Sequence, residues 1–154
     1  MYKLETTPAF VLKTRNIGEA SKMVTLFTRE LGLVEAHAQA LRKLGSKLGS
    51  HLHDFAFLSV GLVRGKEKWR ITGAEKLPLL EEIFVGREKF KLMVRAFSLL
   101  ERFMPGEERN EILFDEVKNG LEFISRTPLS YVDLGHAEVM LILKILHNLG
   151  YISA

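Results

Sequence analysis

The sequence has 154 residues, 47% hydrophobic and 27% charged, a composition that buries a core and excludes a disordered chain. It contains no cysteine, which excludes disulfides, thiolate metal sites and cysteine nucleophiles. The net charge of +3 hides an asymmetry: residues 1–78 carry 13 Lys and Arg against 7 Asp and Glu, and residues 79–154 carry 9 against 12. A basic half joined to a mildly acidic half points to a polyanion-binding module with a second part.

The start, MYKLETTPAF, lacks the basic and apolar order of a signal peptide. The most apolar stretch, VMLILKILHNLGYI, is interrupted by Lys144 and His147 and is too short to span a bilayer. The expected location is the cytoplasm, with no membrane partner.

Five runs in the first half read as strands: 9–17, 22–31, 33–41, 55–63 and 68–77. Within 33–41, Val34, Ala36, Ala38 and Ala40 alternate with Glu35, His37 and Gln39 at a period of two. The run FAFLSVGLV (55–63) is almost wholly apolar, as in a strand buried on both faces. In 68–77, Trp69 and Ile71 oppose Lys68, Arg70 and Thr72. Short Gly-bearing linkers join these runs, except at 42–54.

Five short strands in under 80 residues predict a small antiparallel barrel, and the alanine face suits a tight interior. In an OB-fold, the five-stranded Greek-key barrel, the third and fourth strands are joined by a longer, often helical segment. Residues 42–54 occupy that place.

After Pro78 the period becomes helical: Leu80, Ile83, Phe84, Phe90, Met93, Val94, Phe97, Leu100 and Met104 recur at three and four. Gly86 kinks or splits this helix, and Pro105-Gly106 end it. A second helix is predicted over 111–125, stopped by Pro128. A third runs over 134–149, with Asp133 as N-cap and Gly150 at the C-cap. The fold class is therefore α+β: a five-stranded OB-fold barrel over 1–78, followed by an all-helical domain over 79–154.

Catalytic signals are weak. No nucleophile elbow, phosphate-binding glycine loop or HExxH pattern occurs. His51, His53 and Asp54 form a candidate metal trio, but no further ligand cluster accompanies them, and a surface loop explains them better. Neither an enzyme nor a cofactor is expected.

Binding signals are stronger. ALRKLGSKLGSHLHDF (40–55) places Arg42, Lys43 and Lys47 in a stretch with no acid between Ala36 and Asp54. Arg64, Lys66, Lys68 and Arg70 in VRGKEKWR face only Glu67 locally, and alternation suggests a cationic ridge beside Trp69. Loop and ridge together suit a phosphate backbone, with Lys13, Arg15 and Lys22 as further contacts. Trp69 is expected in the barrel core in preference to a base-stacking role. Arg87, Lys91, Arg95 and Arg102 recur on one side of the first helix. They read as a solvated face balanced by Glu88 and Glu101, or as a stripe for an acidic partner.

The order NIGEASKMVTLFTRELGLV, ALRKLGSKLGSHLHDF, FLSVGLVRGKEKWRITGAEKL resembles the N-terminal domain of the RecO family of bacterial recombination mediators. The matching features are the Gly18-Glu19 turn, the Phe27-Thr28 strand end and the basic small-residue segment leading into Phe55. LLERFMPGEERN and ILKILHNLGY resemble the family's second, helical domain.

The resemblance implies binding of single- and double-stranded DNA, annealing of complementary strands and assistance in loading the RecA recombinase. It also implies RecR and the acidic tail of single-stranded-DNA-binding protein as partners. Charge and spacing, not a family motif, suggest the Arg87/Lys91/Arg95 stripe for that tail. Family members usually continue beyond the Leu149–Tyr151 segment, many with a four-cysteine zinc site. Without cysteine, the sequence lacks that zinc site, and it reads either as a naturally short form or as one from which further residues are missing. A protein-interaction adaptor and an RNA-binding OB-fold module remain the alternatives.

Overall fold

Apolar residues facing inward from every strand of the first half close a five-stranded barrel. The structure, a computed structural model, describes residues 4–39, 47–79 and 86–153. The strands are β1 (Leu4–Ile17), β2 (Ser21–Thr28), β3 (Gly32–Ala38), β4 (Phe57–Arg64) and β5 (Trp69–Lys76), ordered β1-β2-β3-β5-β4 in a closed barrel. Four seams are antiparallel; the fifth, β3 with β5, is parallel, so the barrel is not antiparallel throughout. The parallel seam arises because β4 returns to pair with β1, which leaves β5 to close on β3.

One strand serves two neighbours at the start of the chain. β1 pairs with β4 through residues 4–10 and with β2 through 9–17, and its register shifts between Val11 and Lys13. Such a bulge bends a strand and sharpens its twist, which a small barrel needs to close. The linker before β4 locks onto this bend. Phe55 N–H donates to Val11 O and Val11 N–H to Ala56 O, both at 2.8 Å, while Asp54 Oδ1 accepts from the Thr14 amide and hydroxyl. These bonds hold Phe55 at φ 70°, a left-handed conformation that costs a non-glycine residue about 1 kcal/mol or more.

Val24, Leu26, Val34, Ala36, Ala38, Val60, Leu62 and Ile71 fill the interior. Ala36 is the register partner of Trp69, so the small side chain on β3 makes room for the indole, which is 7% exposed. The short helix α1 (Lys47–His51) closes one end, with Leu48 packed against the core and Leu52 fully buried behind it. His51 Nδ1 lies 2.9 Å from Ala74 O. On the other face of the strands, Phe10 packs on Phe27 and Phe57 at 6.3 and 4.6 Å between ring centroids.

The chain divides into two compact units, Met1–Leu77 with Gly106–Arg109, and Pro78–Pro105 with Asn110–Ala154. The four residues 106–109, which the sequence leaves in the helical half, thus belong to the barrel unit. Gly106 O accepts from Leu33 N–H at 3.0 Å, and Arg109 pairs with Glu30 at 2.6 Å. Gly32, at φ 75°, is covered so closely by the Glu108 backbone that no Cβ fits.

The second unit contains α2 (Arg87–Phe103), α3 (Glu111–Arg126) and α4 (Tyr131–Asn148). Helical spacing buries Leu92, Met93, Ala96, Phe97 and Leu100 of α2 and Leu113, Phe114, Val117, Leu121 and Ile124 of α3. Residues 80–85, where the first predicted helix was to begin, lie outside the described residues. α2 stops at Met104, extended as a residue before proline must be. α4 starts three residues earlier than its apolar spacing suggests: Ser130, not Asp133, is the N-cap, and its Oγ accepts from the Asp133 amide at 3.1 Å. At the other end Leu149 is the C-cap, and Gly150, at φ 84°, follows it. No helix among the described residues is long and apolar enough to cross a membrane.

Candidate nucleic-acid interface

Strand register decides which cations share a surface. Val24, Ala36 and Trp69 point into the barrel, so their neighbours Met23, His37 and Arg70 stand on the outer face. Arg15 pairs with Met23, Met23 with His37, and His37 with Arg70, forming one row across β1, β2, β3 and β5. Arg15 and Arg70 are exposed, His37 is half-buried and Met23 is buried. Neither arginine pairs with an acidic side chain among the described residues. A parallel row holds exposed Lys13, Thr25 and exposed Glu35. Three strand spacings separate Arg15 from Arg70, about 14 Å, which is the length of about four stacked nucleotides.

The hairpin separates Arg64 from Arg70 and does not place both on the ridge expected beside Trp69. Arg64 and Trp69 are register partners, whereas Arg70 pairs with Val63. Beside the four-residue turn 65–68, even positions of β4 share a face with odd positions of β5, as Leu62 does with Ile71; beyond the register shift between Gly61 and Leu62, even positions meet even ones. Arg64 therefore lies on the Trp69 side and Arg70 on the other. Lys66 and Lys68 are exposed at the turn itself, which Gly65 N–H closes by donating to Lys68 O at 2.9 Å.

Nor does Arg64 face Glu67 alone. Its Nη1 donates to both carboxylate oxygens of Glu107, at 2.8 and 2.9 Å. Trp69 Nε1 donates to the same carboxylate at 3.2 Å, and the guanidinium carbon sits 5.0 Å from the indole centroid. Trp69 is thus a core residue whose Nε1 meets a partly exposed carboxylate.

Lys22 also leaves the outer face. It pairs with Ala38, an interior residue, and its Nζ donates to Leu52 O at 3.3 Å at the end closed by α1. Arg42, Lys43 and the side chain of Lys47 lie outside the described residues. His51, His53 and Asp54 diverge: His53 Nδ1 meets Asp54 O, Asp54 holds Thr14, and His51 turns to Ala74. Among the described residues no group of three or more His, Cys, Asp or Glu could hold a metal ion.

On α2, Arg87, Lys91, Arg95 and Arg102 are all exposed. Arg95 makes a two-pronged bond to Glu138 of α4, at 2.6 and 2.9 Å, and this hydrogen-bonded carboxylate raises the arginine's pKa. Lys91 lies 3.8 Å from Glu88, and Arg102 covers the ring of Phe103. The stripe is partly neutralised by an acid the local sequence does not reveal.

Two residues escaped the sequence reading. His37 was visible as the polar position between Ala36 and Ala38, but its place beside Arg70 depends on the parallel seam. Glu107 carries no local signal at all.

The family model for the N-terminal part of Recombination protein O matches residues 1–77. The chain belongs to the RecO family. Its barrel and following helices agree with the OB-fold and helical domain expected of that family. Among similar proteins, the DNA repair protein RecO of Dehalococcoides mccartyi strain 195 is 30% identical over 139 residues, covering 88% of this chain and 54% of the relative. The DNA repair protein RecO of Nocardioides sp. strain JS614 is 42% identical over 69 residues, covering 45% of this chain and 28% of the relative. The chain thus spans about half the length of the D. mccartyi RecO it matches.

Proposed function

We propose that the chain is the DNA-binding part of a repair and recombination mediator that acts without catalysis. The observation that carries this reading is the outer row of Arg15, His37 and Arg70, flanked by Lys13 and by the turn lysines Lys66 and Lys68. RecO family membership and relatives named DNA repair proteins support it. Cations on a rigid sheet engage phosphates without reading bases, so single- and double-stranded DNA both bind. Screening the charge of two complementary strands on one surface lowers their repulsion and speeds annealing. Assistance in RecA loading belongs to the same reading. RecR and the acidic tail of single-stranded-DNA-binding protein are the proposed partners, the tail meeting Arg87, Lys91, Arg95 and Arg102 on α2.

The test is fluorescence anisotropy of a labelled single-stranded oligonucleotide at low and moderate salt. Saturable binding that weakens steeply with salt is expected. Absence of binding at low salt rejects the reading, and a strong preference for structured RNA moves it to an RNA-binding module.

A further inference from the structure

The corner where Arg64 crosses Trp69 has the chemistry of an anion site, and an internal anion fills it. Two guanidinium contacts and one indole N–H converge on the Glu107 carboxylate. A guanidinium fork takes phosphate oxygens in the same way as carboxylate oxygens, and an indole N–H is a donor only. The side chains of Arg64 and Glu107 are 52% and 41% exposed, so solvent reaches the pair and screens it.

The backbone on either side of Glu107 is fixed independently of that carboxylate. Gly106 O holds Leu33 N–H, and Arg109 holds Glu30. The Glu107 side chain can therefore rotate away from Arg64 without moving the segment that carries it. Lys66 and Lys68 stand exposed in the adjoining turn and favour a polyanion over an isolated carboxylate as the incoming group.

We propose that Arg64 and Trp69 Nε1 form a seat for one backbone phosphate of a nucleic acid, which Glu107 occupies as an internal competitor until the phosphate displaces it. This rests on the DNA-binding reading above. Displacement is an exchange of one oxyanion for another at the same donors, with no covalent step. Glu107 makes the corner selective, since only an anion backed by neighbouring phosphates competes with a carboxylate already in place.

Trp69 is the only tryptophan in the sequence, so its emission reports on this corner. The experiment follows oligonucleotide anisotropy and Trp69 emission together in the wild type, Glu107→Gln and the double variant Glu107→Gln/Arg64→Ala. Glu107→Gln is expected to tighten binding about fivefold, the scale of one exposed ion pair, and the double variant to lose that gain. In the wild type, saturating oligonucleotide is expected to shift Trp69 emission, because a phosphate replaces the Glu107 carboxylate beside its Nε1.

Binding in the wild type with unmoved Trp69 emission, and equal affinity in the Gln variant, overturns the proposal and leaves DNA binding intact. Failure of both the wild type and the Gln variant to bind overturns both readings. The wild-type emission measurement stands even if a variant folds poorly.

Discussion

Ala36 faces Trp69 across the single parallel seam of the barrel, the smallest apolar side chain against the largest. Enlarging the alanine forces the indole out of its place or opens the seam. Ala36→Leu is expected to destabilise the protein by about 1–3 kcal/mol. Urea unfolding followed by Trp69 emission measures this directly, and a loss below about 0.5 kcal/mol would mean that the interior has room the register does not suggest.

Gly32 and Gly18 separate two causes of glycine dependence. Both hold positive φ, but only Gly32 lies against the Glu108 backbone, whereas Gly18 opens onto empty space. Gly18→Ala is expected to cost about 1 kcal/mol from backbone strain alone. Gly32→Ala should cost clearly more, because the 106–109 segment has to shift as well. Thermal melts of the two variants side by side give the comparison, and equal losses would contradict the close packing.

Arg15 and Arg70 end the same outer row, so each is expected to contribute about one phosphate contact. Replacing either with alanine should lower the salt dependence of single-strand binding by about 0.7 in log–log slope, and replacing both by about twice that. The measurement is anisotropy across a salt series. An unchanged slope in the double variant would move the interface elsewhere, with the segment containing Arg42 and Lys43 as the first place to look.

Arg95 and Glu138 form a two-pronged ion pair in the helical unit, yet the arginine side chain is 54% exposed. Solvent screening limits such a pair to about 1 kcal/mol or less. Arg95→Ala should therefore shift the unfolding midpoint only slightly. In a titration with an acidic peptide, Glu138→Gln should tighten binding if α2 is the partner surface, because it unmasks Arg95. A peptide affinity indifferent to both substitutions would remove Arg95 from that surface.

Much of this architecture is local and therefore readable along the chain. Period-two alternation over 33–41 and 68–77 identifies the interior set of Ala36, Ala38, Trp69 and Ile71, because side chains of any strand alternate between two faces. Helical spacing identifies the buried faces of α2 and α3 for the same kind of reason. The charge asymmetry between the two halves is likewise legible without any structure. What tertiary structure alone decided is which cations stand together and which are already matched. The hairpin turn separates Arg64 from Arg70, the parallel seam brings His37 beside Arg70, and Glu107 and Glu138 reach arginines 43 residues away. Alternation depends on the backbone's own geometry and survives in a short window of sequence. Ion pairing depends on where the chain crosses itself, and that becomes determinate only once the barrel has closed and the helices have packed.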